Sequence, residues 1–534
     1  MIYNPLEEYE SKLRELHRDK AEAYFGELVT RSGVNADQNR ATVKEYKAVL
    51  ESKAKLQKSL RLWRFLRVLM CITLVLIPLV ILRTTPRIKK LRADIEAADK
   101  KASELLAEAH RQTDPLNRLF TDRDAITVIE DTVELLDFAD CYSAEQEANM
   151  RKNFDFREND SPEESTVDLL AGHYNGNPFL FETKLMHRMG TEVYHGYKTI
   201  SWTESYRDSE GRRRTRVRTQ TLHATVTRPK PFYSTQVILN YCAQGGPNLS
   251  FTRDATNLHE KSERQLERYV KKGEKKLKKL TEDALEEDRD FVAMSNTDFE
   301  VLFDATDRND EVEYRTLFTP LAQTNMVDLI LSKTGYGDDF NFFKHKRTNR
   351  ILTQHSQGRS VTLPRSVYPS YDFDEIKRNF MEKNAEYFKA VYFDLAPILA
   401  IPIYQERPVH SLDPIPDLAQ NYSDKECEAL VNTVDRRYVV HPATKTTAIL
   451  KSDYMGRSGE GDEIKLTAYS YDTVPRVEVV PVLGGDGRVH GVPVPWDEYL
   501  PLEKINRLFV GSKKDESGKQ PLTERNGLYL LSLK

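Results

Sequence analysis

One stretch constrains this chain more than any other: Leu62 to Leu82, LWRFLRVLMCITLVLIPLVIL. Its centre, Val68 to Leu82, is 15 residues without a charge, and 11 of them are Leu, Ile or Val. As a helix the centre covers about 23 Å, short of a hydrocarbon core of about 30 Å. Counting from Leu62 brings the length to about 31 Å, with Arg64 and Arg67 able to snorkel and Trp63 at headgroup level. The residues that carry a membrane reading are Trp63, Arg64, Arg67, Leu69, Ile72, Leu76, Pro78 and Leu82. Some 60 polar residues precede the run, so it is not a cleaved signal peptide. The competing reading is a helix buried in a soluble globule.

The flanks leave orientation open. Lys53, Lys55, Lys58, Arg61, Arg64 and Arg67 precede the run; Arg83, Arg87, Lys89, Lys90, Arg92, Lys100 and Lys101 follow it. Six cations against seven set no positive-inside bias. Length favours a single span. The charge balance favours a re-entrant or interfacial segment with both ends on one side. The expectation is one membrane helix.

Around that anchor the chain is polar: 30% charged, 39% hydrophobic, net charge −4. Such a balance gives no global reason to expect nucleic acid as a partner. Cys71 lies in the apolar run, and Cys141, Cys242 and Cys427 are too few and too scattered for a disulfide framework.

The fold class expected is α+β: an amino-terminal helical hairpin and coiled-coil module with one membrane helix, then a mixed β-rich body. Residues 1–61 read as a helical hairpin arm and 62–83 as the anchor. Residues 84–155 hold a heptad helix and a helical cluster. Residues 166–410 form an α+β body with a long basic hairpin and a charged helix, and 411–534 a carboxy-terminal β-rich domain. The first helix (Leu6, Tyr9, Leu13, Leu16) folds back on a second (Val43, Tyr46, Leu50, Leu56, Leu60). Ile88, Leu91, Ile95, Ala98, Ala102, Leu105 and Ala109 then repeat at 3-4 spacing. That stripe suits either a homo-oligomeric coiled coil, associating through Ile88, Leu91, Ile95 and Leu105, or packing within the chain.

Arg157 to Ser165, RENDSPEES, marks the first domain boundary. Asn175-Gly176 turns one strand into the next, and Val193–Tyr206 with Arg212–Thr227 form a long hairpin. Asn296–Leu331 reads as a strand over Phe299–Phe303, a further strand and a helix near Thr319-Pro320. Tyr387–Tyr404 reads as buried core strands and not as a second span, being interrupted by Lys389, Asp394, Pro397 and Pro402. Gly484-Gly485-Asp486-Gly487 reads as a turn.

No pattern carries a recognisable chemistry. HExxH, CxxC and GxxxxGK[ST] are missing, so no metal or cofactor is expected. Asp372-Phe373-Asp374-Glu375 reads as a helix cap, not a catalytic pair. Two basic clusters remain: Arg207, Arg212, Arg213, Arg214, Arg216 and Arg218 at the hairpin tip, and Lys271, Lys272, Lys275 and Lys276, continued by Lys278 and Lys279, on the charged helix. Each is either a solvated face or a contact for anionic lipid. Neither has the aromatic interleaving that single-stranded nucleic acid needs, and no nucleic acid is expected.

Val167–Phe181, VDLLAGHYNGNPFLF, and Asn296–Ile330, NTDFEVLFDATDRNDEVEYRTLFTPLAQTNMVDLI, resemble a family of bacterial membrane proteins defined only as a domain of unknown function. Its members often lie beside LemA-type membrane proteins and place membrane helices ahead of a cytoplasmic domain. The similar pieces are the GxYxGxPF turn and the FxVxF…D…RxLxTP run, about a quarter of the chain. The resemblance implies a cell-membrane protein with its body on the cytoplasmic side, and it supplies no catalytic residues. This chain has one apolar segment where members often show two. The function expected is a membrane-anchored, non-enzymatic scaffold of a bacterial cytoplasmic membrane whose partners are membrane lipid and an unidentified protein. Alternatives are a peripheral sensor of anionic lipid and a membrane-bound hydrolase with a dispersed site.

Overall fold

A computed structural model of the chain describes residues 1–72, 77–157, 161–207, 209–287, 291–408, 421–458, 461–511, 522–526 and 528–532; side chains at 67–83 lie outside the description. The expected membrane residues Arg67, Leu69, Ile72, Leu76, Pro78 and Leu82 therefore fall partly or wholly outside it.

In chain order the elements are α1 (Pro5–Glu8), α2 (Arg14–Ser32), α3 (Ala36–Ile72), α4 (Ile77–Asn117), α5 (Asp124–Thr132), β1 (Leu136–Phe138), α6 (Ala144–Phe154), β2 (Glu164–Tyr174), β3 (Asn177–Arg207), β4 (Arg213–Cys242) and β5 (Ser250–Arg253). There follow α7 (Glu263–Glu286), α8 (Thr297–Phe303), α9 (Glu311–Leu317), α10 (Pro320–Leu331), β6 (Phe340–His345), β7 (Thr348–Thr353), α11 (Phe373–Leu399), α12 (Asp424–Asn432) and α13 (Arg436–Val439). The chain closes with β8 (Ile449–Ser458), β9 (Gly461–Leu483), β10 (Val489–Gly511), β11 (Thr523–Arg525) and β12 (Leu528–Ser532). The α+β class is as expected. Two compact units divide the chain: a helical unit, Leu6–Leu136 with Thr362–Phe393, and a β-rich unit, Met1–Pro5 with Asp137–Val361 and Asp394–Lys534.

In the helical unit, Gly33 ends α2 in the left-handed conformation (φ 66°), as a residue without a β-carbon can. The first helix does not fold back on α3, as the sequence suggested. Phe25 and Leu28 of α2 instead join Leu116, Phe120, Val128, Tyr368, Phe373, Ile376 and Phe380 in one aromatic-rich core. The partner of α3 is α4, packed along it. Asp372 accepts from the backbone N–H of Asp374 at 3.1 Å and caps α11, the role expected of it.

Two expected strand regions are helices. Asn296, Asp310 and Thr319 each accept a hydrogen bond from the N–H three residues on and start α8, α9 and α10 in turn. These caps outweigh the β propensity of Phe299–Phe303. Tyr387–Tyr404 is buried, as expected, but most of it is the end of α11. Where a helix is covered on several sides its 3.6-residue period disappears from the sequence, and aromatic and β-branched residues then imitate a strand.

The β-rich unit holds two antiparallel sheets, ordered β1-β2-β3-β4-β7-β6-β5 and β11-β12-β10-β9-β8. The β2–β3 turn places Asn175 (φ 48°) and Gly176 (φ 86°) in the geometry of a tight hairpin. Beyond their sheets β3–β4 and β9–β10 continue as ribbons that pack face to face. Ile200, Leu222 and Ala224 of one meet Val492 and Val494 of the other, each buried side chain worth about 1.5–3 kcal/mol for the larger residues. Gly196 permits this approach, since a β-carbon there would collide with the Pro493 carbonyl oxygen. Gly485 N–H donates to Gln220 Oε1 (2.7 Å) at the tip of the second ribbon.

Candidate membrane-facing hairpin and charged clefts

The pairing of α3 with α4 is traced by a ladder of side chains. Asn39 Nδ2 donates to Ala109 O (3.3 Å) and Gln112 Nε2 to Thr42 Oγ1 (3.1 Å). Farther along, Glu45 pairs with Lys101 at 2.6 Å, and Lys53 with Asp99. Then Leu60 is buried with Ile88 and Leu91, and Leu56, Trp63 and Ile95 pack around them. From Asn39 to Leu60 the contacts climb α3 while their partners on α4 descend from Ala109 to Ile88. Residues just before the apolar run are therefore level with residues just after it.

The single-span expectation falls mainly on residues 67–83, whose side chains lie outside the description. Among the described residues no helix is long and apolar enough to cross a membrane, and a single crossing would carry Trp63 and Ile88 to opposite sides. Ile88 and Leu91 are each 5% exposed, covered within the chain, while Ile95 and Leu105 are half-buried. At the end of the paired region the apolar side chains turn outward: Leu62 is 57% and Phe65 63% exposed. Residues 55–67 and 83–92 carry five cations each and no acid. Arg61, Arg64, Arg87, Lys89, Lys90 and Arg92 are exposed.

The other two basic clusters lie on separate elements. In the distal ribbon, Arg216 Nε and Arg218 Nε both bind Glu204 Oε2, at 2.8 and 2.7 Å, and hold that exposed carboxyl below its usual range. Arg207, Arg212, Arg213 and Arg214 stand exposed around the tip, with Arg212 paired to Glu210 at 3.1 Å. Lys271, Lys272, Lys275 and Lys276 are on the solvent side of α7, and Lys276 pairs with Asp304 at 3.4 Å. The opposite stripe of α7, with Leu277 and Ala284, packs on Phe291 and Val301.

Perturbed titratable groups, the usual mark of chemistry, occur where no motif pointed. A 360 Å³ cleft is lined by residues of β2, β3, α12 and β8. Lys425 Nζ lies 2.5 Å from Glu182 Oε1, which also accepts from Thr166 Oγ1 at 2.8 Å. Lys451 pairs with Glu428 at 3.0 Å and Lys184 with Glu164 at 3.0 Å. Burial pushes the Glu182 and Glu428 carboxyls up and draws the Lys425 amine down to about 8. Every lysine here has a carboxylate against it, so the cluster ties the two sheets together.

Lys344 differs. Burial lowers its amine to about 7, and its Nζ donates to Gly245 O (2.9 Å) and Lys346 O (2.5 Å), both carbonyls. It borders a 490 Å³ cavity with Phe343, His345 and Arg350. Strand alternation places its side chain on the face opposite Phe343 and His345. Alternating burial along β6 is the only sequence sign, and a lysine at an inward position reads as noise until the sheet is built. No group of three or more His, Cys, Asp or Glu able to hold a metal occurs among the described residues. No family model, curated protein or solved structure matches this chain.

Proposed function

We propose that the protein is a membrane-anchored scaffold, held by the tip of the α3–α4 hairpin and presenting its β-rich unit to a protein partner. One observation supports the anchor: Leu60 and Trp63 pack with Ile88, so the two flanks of the apolar run stand at one level. Helix α3 runs to Ile72 and α4 starts at Ile77. From Phe65 to Ile72 a helix rises only about 12 Å, less than half of a 30 Å core. The anchor enters one leaflet and the whole polar chain stays on one side of the membrane.

The same geometry gives the balanced flanks a meaning. Six cations against seven is uninformative for a span, but for a hairpin it is one collar at one depth. At about 1 kcal/mol for each lysine or arginine near an anionic surface, ten such groups favour acidic lipid. The lipid-recognition alternative thus becomes part of the anchor, located at the hairpin and not at the β3–β4 tip.

Sidedness tests the reading. In a background with the native cysteines replaced by serine, Gln57→Cys and Lys90→Cys variants reconstituted into sealed vesicles are both labelled by a membrane-impermeant maleimide, or both protected. Labelling of one alone would restore the span. Release of the full chain by carbonate washing would remove the anchor altogether.

A further inference from the structure

A cleft of 330 Å³ in the β-rich unit has four aromatic rings among its ten lining residues. His187 of β3 and Tyr233 of β4 stand directly opposite in the strand register, with ring centroids 5.3 Å apart and planes inclined by 46°. The Tyr471 ring of β9 lies 5.5 Å from His187 on another side, inclined by 32°. Two residues back along β9, on the same face, Tyr469 also lines the cleft and is 38% exposed, which opens it to solvent. Pro501 and Glu503, the register partners of Tyr471 and Tyr469 on β10, line it too.

Two walls of the cleft are tied to each other. Tyr233 OH donates to Thr446 Oγ1 (3.2 Å), and the same oxygen accepts from the backbone N–H of Tyr471 (3.0 Å). One threonine thus locks two walls, as preorganised recognition requires. No lysine or arginine is among the lining residues, and Glu503 is the one acid among them. A second carboxylate, Glu163, acts on Tyr471: burial first, then this charge, raises the phenol. The His187 Nε2 is buried and has no hydrogen-bond partner in the protein.

Faces of aromatic rings with carboxylates nearby attract a soft, poorly hydrated cation. An anion would meet Glu503 and Glu163 with no counter-charge. A neutral sugar would stack equally well but would leave the carboxylates uncompensated. We propose that this cleft binds a small alkylammonium cation of the choline type, the ammonium among Tyr233, Tyr471 and Tyr469 and a polar substituent of the ligand at His187 Nε2. This site is independent of the membrane reading.

Calorimetric titration of the full chain in detergent with choline, against 3,3-dimethylbutan-1-ol, tests it. The alcohol has the same shape with carbon in place of the charged nitrogen. Choline is expected to bind at least about tenfold tighter than the alcohol, the scale of a partly desolvated cation–π contact. Tyr233→Leu and Tyr471→Leu are expected to lose about tenfold. Both leucine variants are expected to keep the wild-type thermal unfolding profile, which separates lost binding from a folding defect. Equal binding of alcohol and choline, no heat with choline at about 50 mM, or binding of N-acetylglucosamine in preference to choline would each overturn the proposal.

Discussion

Leu60 of α3 and Ile88 of α4 are buried in the same small cluster, although the whole apolar core of the run lies between them in sequence. The contact clasps the two flanks of the run together. Leu60→Ala leaves a cavity there and is expected to cost about 2–4 kcal/mol if the clasp cannot collapse. Thermal unfolding in detergent measures it. The exposed neighbour Leu62, changed to alanine, is expected to stay within about 0.5 kcal/mol of wild type.

On the proposed anchor, attachment to acidic vesicles is expected to be sensitive to salt. Flotation of the full chain with vesicles containing phosphatidylglycerol is expected to weaken from low salt to about 0.5 M, as the screening length falls below the width of the collar. Replacing Arg61, Arg64, Arg87 and Lys90 with glutamine weakens it further, while the apolar tip retains part of the attachment. The same substitutions at Arg207, Arg212, Arg213 and Arg214 leave flotation unchanged.

Lys344 gives the fold a signature in pH. Its folded value of about 7 lies below the unfolded amine value of about 10.4, so the unfolded state binds the extra proton between those two values. Stability from this group is lowest below about pH 7 and rises as pH climbs toward 10. Lys344→Met removes the rise over pH 7–9, and its melting temperature at pH 7 exceeds that of wild type. A wild-type melting curve with the same pH slope as the variant would refute the assignment.

Arg308 is fully covered, with its guanidinium on Glu300 (2.9 Å) and Glu311 (2.7 Å) and stacked over the Tyr314 ring at 4.1 Å. Arg308→Met leaves Glu300 buried and uncompensated and is expected to cost about 3–5 kcal/mol. Denaturant titration checks this, and pairing it with Glu300→Leu should recover much of the loss.

What local residue order can specify was legible in the sequence. The Asn175-Gly176 turn, the long β3–β4 ribbon, the turn at Gly484–Gly487, the cap at Asp372 and the stripe through Ile88 and Leu91 all follow from spacing and turn chemistry between near neighbours. The helices at Thr297–Leu331 were missed because three successive caps, each weak alone, act together against the β propensity of their residues. Tertiary structure alone decided the rest. It gave Leu60 and Trp63 as the partners of the heptad stripe, so the two basic flanks face one way. It also brought Tyr471 of β9 into one cleft with His187 and Tyr233 of the distant β3–β4 pair. Sequence spacing encodes the periodicity of one element, whereas the choice of partner depends on burial energies summed over surfaces that meet only after the chain has folded.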